Sequence, residues 1–268
     1  MTFVVPLLIF ALLAAPAVRL LVLAARTRQA PEVWGGLYFL GTSIGIPLRV
    51  LGHALAPTDP GMALTCNAVG HVFFAAAVCA LTMFTWRVFR PDAAWARGLA
   101  LGLLASIVAA TVHLFTTGTV SAERSIGMLA TNATRLAPLL WAFAESLRYR
   151  RAMRRRAALG LADPIVTNRF LLWTLWTGAL AALPAMTLSL RVLKHVGEAL
   201  GLYVGEDLSQ EPLVVLAVRV VFLLTAPIGA VALSLSFFPP ERYLAAVRAR
   251  AEAADEAPVG AERGLGAS

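Results

Sequence analysis

Charge is scarce in this chain of 268 residues: Asp, Glu, Lys and Arg make up 14% of it, against about 25% in a soluble globular domain. Hydrophobic residues make up 59%, and long apolar runs recur along the whole length. This composition predicts a polytopic membrane protein and excludes a soluble domain carried on a single anchor. No polar segment between the apolar runs reaches the roughly 50 residues that a separate folded domain needs.

Lysine and cysteine are also rare. The only lysine is Lys194, and because segment 212–238 contains none, the last apolar segment cannot hold the Schiff base of a rhodopsin. The two cysteines, Cys66 and Cys79, fall in one predicted helix, where their 13-residue spacing separates them by roughly 20 Å. They cannot bond each other there, and we interpret both as small buried residues.

The apolar runs are rich in Ala and Leu and lack the alternation of β-strands, so the fold class is all-α. We predict a transmembrane domain over residues 1–251 and a disordered cytoplasmic tail over 252–268, which is rich in Ala, Glu and Gly. The seven predicted membrane helices cover residues 3–25, 34–56, 62–86, 98–119, 125–147, 169–191 and 212–238.

Arginines in the connecting segments indicate the orientation. Sixteen basic residues follow the first, third, fifth and seventh predicted helices, whereas the other side has only Arg124, Arg191 and Lys194 among several acids. The positive-inside rule places the N-terminus outside and the C-terminus inside. The formal net charge of +8 then reflects topology and anionic lipid rather than nucleic-acid binding. The first helix is expected to be a span and not a signal peptide, because no positive charge precedes it.

The longest inner segment, 148–168, is strongly basic at its start. We predict that the fifth helix continues past the membrane and that the chain turns at Asp163-Pro164. A basic helix next to the membrane attracts anionic lipid. It is also where we expect a cytoplasmic signalling partner.

Ionisable side chains inside the predicted spans are the main functional signal, because each is costly in hydrocarbon unless it faces a cavity or a partner. Helical spacing puts several of them on shared helix faces, and the orientation brings all of them to the outer half of the bundle. No acid accompanies them in that layer, so an acidic ligand or a hydrated cavity is the natural complement, and we expect a small anionic or amphipathic ligand. The predicted ligand-binding residues are Arg49, His53, Asn67, His71, His113, Asn132, Arg135 and Arg219.

Two stretches carry a family resemblance: Arg154 to Trp173 (RRRAALGLADPIVTNRFLLW) and Phe237 to Tyr243 (FFPPERY). They resemble uncharacterised seven-helix membrane proteins and sensor-like membrane regions of bacteria. The resemblance implies a multi-pass protein of a bacterial inner membrane and implies no defined chemistry. Together with the outer polar layer, it favours a receptor-like or sensory protein over an enzyme.

Three alternatives remain open. The arginines also suit an anion transporter or channel. His53, His71 and His113 could together hold zinc, as in seven-helix hydrolases of the ceramidase and adiponectin-receptor type, which the chain resembles only in helix count and histidine number. His71 and His113 could instead be axial ligands of a haem. We predict no catalytic residue, and the sequence does not identify a cofactor.

Overall fold

The computed structural model describes residues 4–118, 120, 126–157, 159–200 and 212–256. The regular elements in these ranges are all helical, which confirms the all-α prediction. The helices are α1 (Val4–Thr27), α2 (Ala30–Leu55), α3 (Pro60–Phe89), α4 (Ala94–Thr116), α5 (Ile126–Ala157), α6 (Pro164–Ala199), α7 (Pro212–Phe237) and α8 (Glu241–Glu256).

Several of these helices are long and apolar enough to cross a membrane. By length and composition α1, α3, α4 and α6 qualify among the described residues, and α7 with α8 would make a fifth span if that pair, bent by 90°, is counted as one. α2 and α5 have sufficient length, but polar and charged residues interrupt α2 and the arginine-rich end of α5 lowers its apolar character. The chain is therefore a membrane protein.

The helices differ from the sequence prediction most clearly at α6 and in the C-terminal segment. α6 begins at Pro164 and continues to Ala199, so it is longer than the predicted span at both ends. α8 is an eighth helix that was not predicted, because the search was for membrane-length apolar runs and α8 is short and polar. It extends to Glu256, into the segment expected to be a disordered tail, and residues 257–268 lie outside the described part of the chain.

Local signals explain the sharp turns between helices. Asp59 caps α3, accepting a hydrogen bond from the Met62 amide at 2.9 Å, and Pro60 fits the first turn because its missing N–H is not needed there. The predicted extension of α5 is confirmed, since the helix ends at Ala157 and is followed by Gly160 at φ 68°. Asp163 then accepts from the Ile165 amide at 2.7 Å as α6 starts.

Glycines let α2 and α3 approach closely. A Cβ built on Gly41 would lie 2.8 Å from the Phe73 carbonyl oxygen, and one on Gly45 would lie 2.8 Å from the Phe74 amide nitrogen. A side chain at either position would force the two helices apart, which is the purpose of small residues at such interfaces. Gly98 and Gly102 on α4 have the same four-residue spacing, but both face open space.

An aromatic core fills one half of the bundle. It joins residues of α1, α2, α3, α5, α6 and α7 near the end where α2 begins and α3 and α7 finish. The ring of Phe39 lies 5.5 Å from that of Trp176 and 5.4 Å from that of Phe237, and Phe84 stacks on Trp173 at 5.1 Å. α4 stays outside this core and packs on α3 and α5.

Two arginines tie helix ends together at the same end of the bundle. Arg90, just after α3, donates from Nε to both carboxylate oxygens of Glu145, at 3.0 and 3.1 Å. This charged hydrogen bond raises the pKa of Arg90 above its ordinary value. Arg19 of α1 donates to the Phe237 carbonyl and lies over the Phe238 ring.

Candidate functional site

A buried arginine and a buried histidine form the centre of the candidate site. Arg135 on α5 is 3% exposed and His71 on α3 is 1% exposed. Arg135 donates from Nη1 to Nδ1 of His71 at 2.6 Å and from Nη2 to the His71 carbonyl at 3.2 Å. Because a guanidinium can only donate, His71 must be neutral here, with its proton on Nε2.

A second cation, Arg49 of α2, lies beside this pair. The guanidinium carbons of Arg49 and Arg135 are 5.9 and 5.6 Å from the centre of the same Phe74 ring. The two charges are close enough to repel each other and to act on His71. The face of the Phe74 ring attracts a nearby cation and so offsets part of its charge. Within the described residues no carboxylate contacts Arg135 or His71. Arg135 is therefore a buried cation whose described hydrogen-bond partners carry no negative charge.

Glycines on the α2–α3 interface make room for the polar side chains. A Cβ on Gly70 would lie 2.7 Å from Cγ of Arg49, and one on Gly52 would lie 2.7 Å from Oδ1 of Asn67. Asn67 is 7% exposed. Its Oδ1 and the Nε of Arg135 are both buried without a hydrogen-bond partner among the described residues. A buried polar atom without a hydrogen-bond partner destabilises the fold, unless water, an ion or a ligand supplies that partner.

The structure brings together half of the predicted site residues, and we define the polar cluster as Arg49, Asn67, His71 and Arg135. His53 is exposed at the rim of the site. Asn132 is half-buried on α5, one turn before Arg135.

The other two predicted residues stand apart from the cluster. His113 is exposed near the end of α4, and α4 packs against the outside of α3 and α5. The backbone of Arg219 lies within α7, but its side chain is outside the described part of the chain.

In the described part of the chain, the three histidines expected to hold zinc do not meet at one site. The described residues contain no group of three His, Cys, Asp or Glu side chains that could hold a metal ion. The Nδ1 of His71 is engaged by Arg135, and His113 is exposed whereas His71 is buried. A nearby pair of guanidinium groups would also oppose a bound cation. The donor set fits an anion better than a metal.

Two kinds of residue in the site were missed by sequence reasoning. Phe74 was overlooked because the search was for polar groups, although its position three residues after His71 puts it on the same helix face. Gly52 and Gly70 were overlooked because glycines are common in membrane helices. The spacing could have identified them, because each glycine lies about one helical turn after a polar site residue. Gly52 follows Arg49 by three residues, and Gly70 follows Asn67 by three.

Comparison of the chain with protein-family models, with curated proteins and with solved structures finds no match.

Proposed function

We propose that the chain is a receptor-like or sensory membrane protein that binds a small anionic or amphipathic ligand at the polar cluster between α2, α3 and α5. One observation carries this proposal: Arg135 is buried among helices with no acidic partner among the described residues, and the guanidinium of Arg49 lies against the same Phe74 ring. A buried cation without a counter-charge is costly, and a carboxylate or phosphate group offers the geometry that a guanidinium fork prefers.

The proposed topology is seven spans, α1 to α7, with the N-terminus outside, in a bacterial inner membrane. Basic residues cluster where α1, α3, α5 and α7 end, which supports this orientation through the positive-inside rule. Arg135 lies nine residues into α5, or roughly 14 Å along the helix. The polar cluster would then face the outer half of the membrane. Alkaline phosphatase fused after Thr58 should be active, and a fusion after Gly160 should be inactive. The reverse pattern would invert the orientation.

Binding is favoured over passage through the bundle because the aromatic core closes the half below the polar cluster. A conducting path would have to cross the contacts among Phe39, Trp176 and Phe237. A receptor needs no such path, only a ligand-dependent change at the inner surface. The basic inner segment 148–168 is where we propose that a cytoplasmic signalling partner binds.

The site can be tested by thermal unfolding of the purified protein in neutral detergent with defined anions. Acetate, succinate, phosphate and oleate are compared with chloride at equal ionic strength, because specific binding to the folded state raises the melting temperature with ligand concentration. We expect saturable stabilisation by at least one carboxylate or phosphate compound. Arg49→Gln and Arg135→Gln should each weaken this effect at least tenfold.

Arg87→Gln is the matched control. Arg87 is also an arginine against an aromatic ring, 4.4 Å from Trp86, but it lies at the far end of α3. Its loss should leave anion stabilisation unchanged. If no anion stabilises the unmodified protein more than chloride does, or if all three substitutions have the same effect, the polar cluster is a structural feature and not a binding site.

A further inference from the structure

A basic groove lies along the inner end of α5, and none of its lining residues belongs to the polar cluster. It encloses a volume of about 900 Å³ and is open to the surroundings. Its lining changes from apolar to basic along the helix, from Phe143 and Leu147 to Arg148, Arg151, Arg154 and Arg155.

The four arginines share one broad face of α5, because Arg151 follows Arg148 by three residues, and Arg154 and Arg155 follow Arg151 by three and four. All four are exposed, and within the described residues none of them is joined to a carboxylate. The nearest acid in the same helix, Glu145, is already buried against Arg90. Like charges at this spacing repel each other, so the groove is electrostatically complementary to an anion.

The apolar end of the groove indicates which kind of anion fits. Phe143 and Leu147 are half-buried and continue the groove toward the membrane-spanning part of α5. Tyr149, whose hydroxyl donates to the Phe89 carbonyl at 3.2 Å, and the exposed Trp95 mark the depth at which aromatic rings meet lipid headgroups. A free phosphate ion would contact only the arginines, whereas a phospholipid would contact the arginines with its headgroup and the apolar end of the groove with its acyl chain.

We propose that the basic groove binds the phosphate headgroup of an anionic phospholipid of the inner leaflet, with the start of its acyl chain against Phe143 and Leu147. This site depends on the chain being in a membrane but not on ligand binding at the polar cluster, so the two proposals can fail separately. Bound lipid would stabilise the basic end of α5 by offsetting the repulsion among its arginines.

The test is native mass spectrometry of the detergent-purified protein given equal amounts of phosphatidylglycerol and phosphatidylcholine. We expect the unmodified chain to retain phosphatidylglycerol selectively. Arg151→Gln combined with Arg155→Gln should reduce that preference about thirtyfold, which is the expected contribution of two basic residues near an anionic surface. The matched control is Arg150→Gln with Arg156→Gln, which removes the same charge from the same helix outside the groove lining.

Three results would overturn the proposal. Equal retention of both lipids by the unmodified chain would exclude a headgroup site. An equal loss of the preference for phosphatidylglycerol in the two double variants would show that positive charge attracts the lipid without a defined site. Displacement of the lipid by an equal concentration of glycerol phosphate would show that the apolar end contributes nothing.

A second measurement uses the unmodified protein and so does not depend on how the variants fold. Phosphatidylglycerol should protect Arg151 and Arg155, but not Arg150 and Arg156, from arginine-specific labelling by phenylglyoxal. Uniform labelling of the four would also overturn the proposal.

Discussion

Replacing Gly45 by alanine should force α2 and α3 apart and destabilise the protein. The new Cβ would lie 2.8 Å from the Phe74 amide nitrogen and 2.9 Å from the Gly70 carbonyl oxygen. Both contacts are with backbone, which cannot rotate out of the way. The helices must separate by at least about 0.6 Å to restore 3.4 Å, the shorter limit of ordinary contact. Overpacking of this kind costs about 1–3 kcal/mol.

Gly102→Ala is the matched control, because a Cβ on Gly102 meets nothing within 4 Å. Both changes gain the helix preference of alanine over glycine, up to about 1 kcal/mol, so the difference between the variants isolates the packing effect. We expect Gly45→Ala to be about 2 kcal/mol less stable than Gly102→Ala. The assay is unfolding by dodecyl sulfate in mixed micelles, followed by tryptophan fluorescence. Equal stability of the two variants would refute the close approach of α2 and α3.

Two further predictions concern buried polar contacts. Arg90→Ala should destabilise the protein by about 3 kcal/mol, because it leaves the Glu145 carboxylate buried without its partner; adding Glu145→Gln should recover part of that loss in the same unfolding assay, and no recovery would contradict the pairing. His71→Phe should cost about 2 kcal/mol by removing the acceptor for Arg135, whereas His113→Phe, at an exposed position, should stay within about 0.5 kcal/mol. Equal effects of the two histidine changes would contradict the buried contact.

Much of the fold could be predicted because apolar runs of membrane length are a strong signal. Each predicted span overlaps one of the helices α1 to α7, and the extension of α5 followed from its arginines and from Asp163-Pro164. α8 could not be found in this way, since its packing depends on tertiary contacts such as the hydrogen bond between Asn168 and Tyr243, 2.7 Å long.

The candidate site was harder to predict than the helices. Helical spacing places Asn67 and His71 on one face of α3. It does not predict how each helix is rotated about its axis relative to its neighbours. That rotation turns Arg49 and Arg135 toward the shared Phe74 ring and leaves His113 exposed. Equal depth in the membrane was therefore not sufficient to place all eight residues together.

The contact between Arg19 and the Phe237 carbonyl has a consequence for the order of assembly. α7 is followed by Pro239 and Pro240, which have no N–H to offer the last carbonyls of the helix, and Arg19 supplies a donor from 218 residues earlier in the chain. At bacterial or eukaryotic rates of synthesis, about 5–20 residues per second, that acceptor emerges roughly ten to forty seconds after the arginine. During this interval Arg19 has not yet met its acceptor, so the contact between α1 and α7 forms only after α7 has been synthesised.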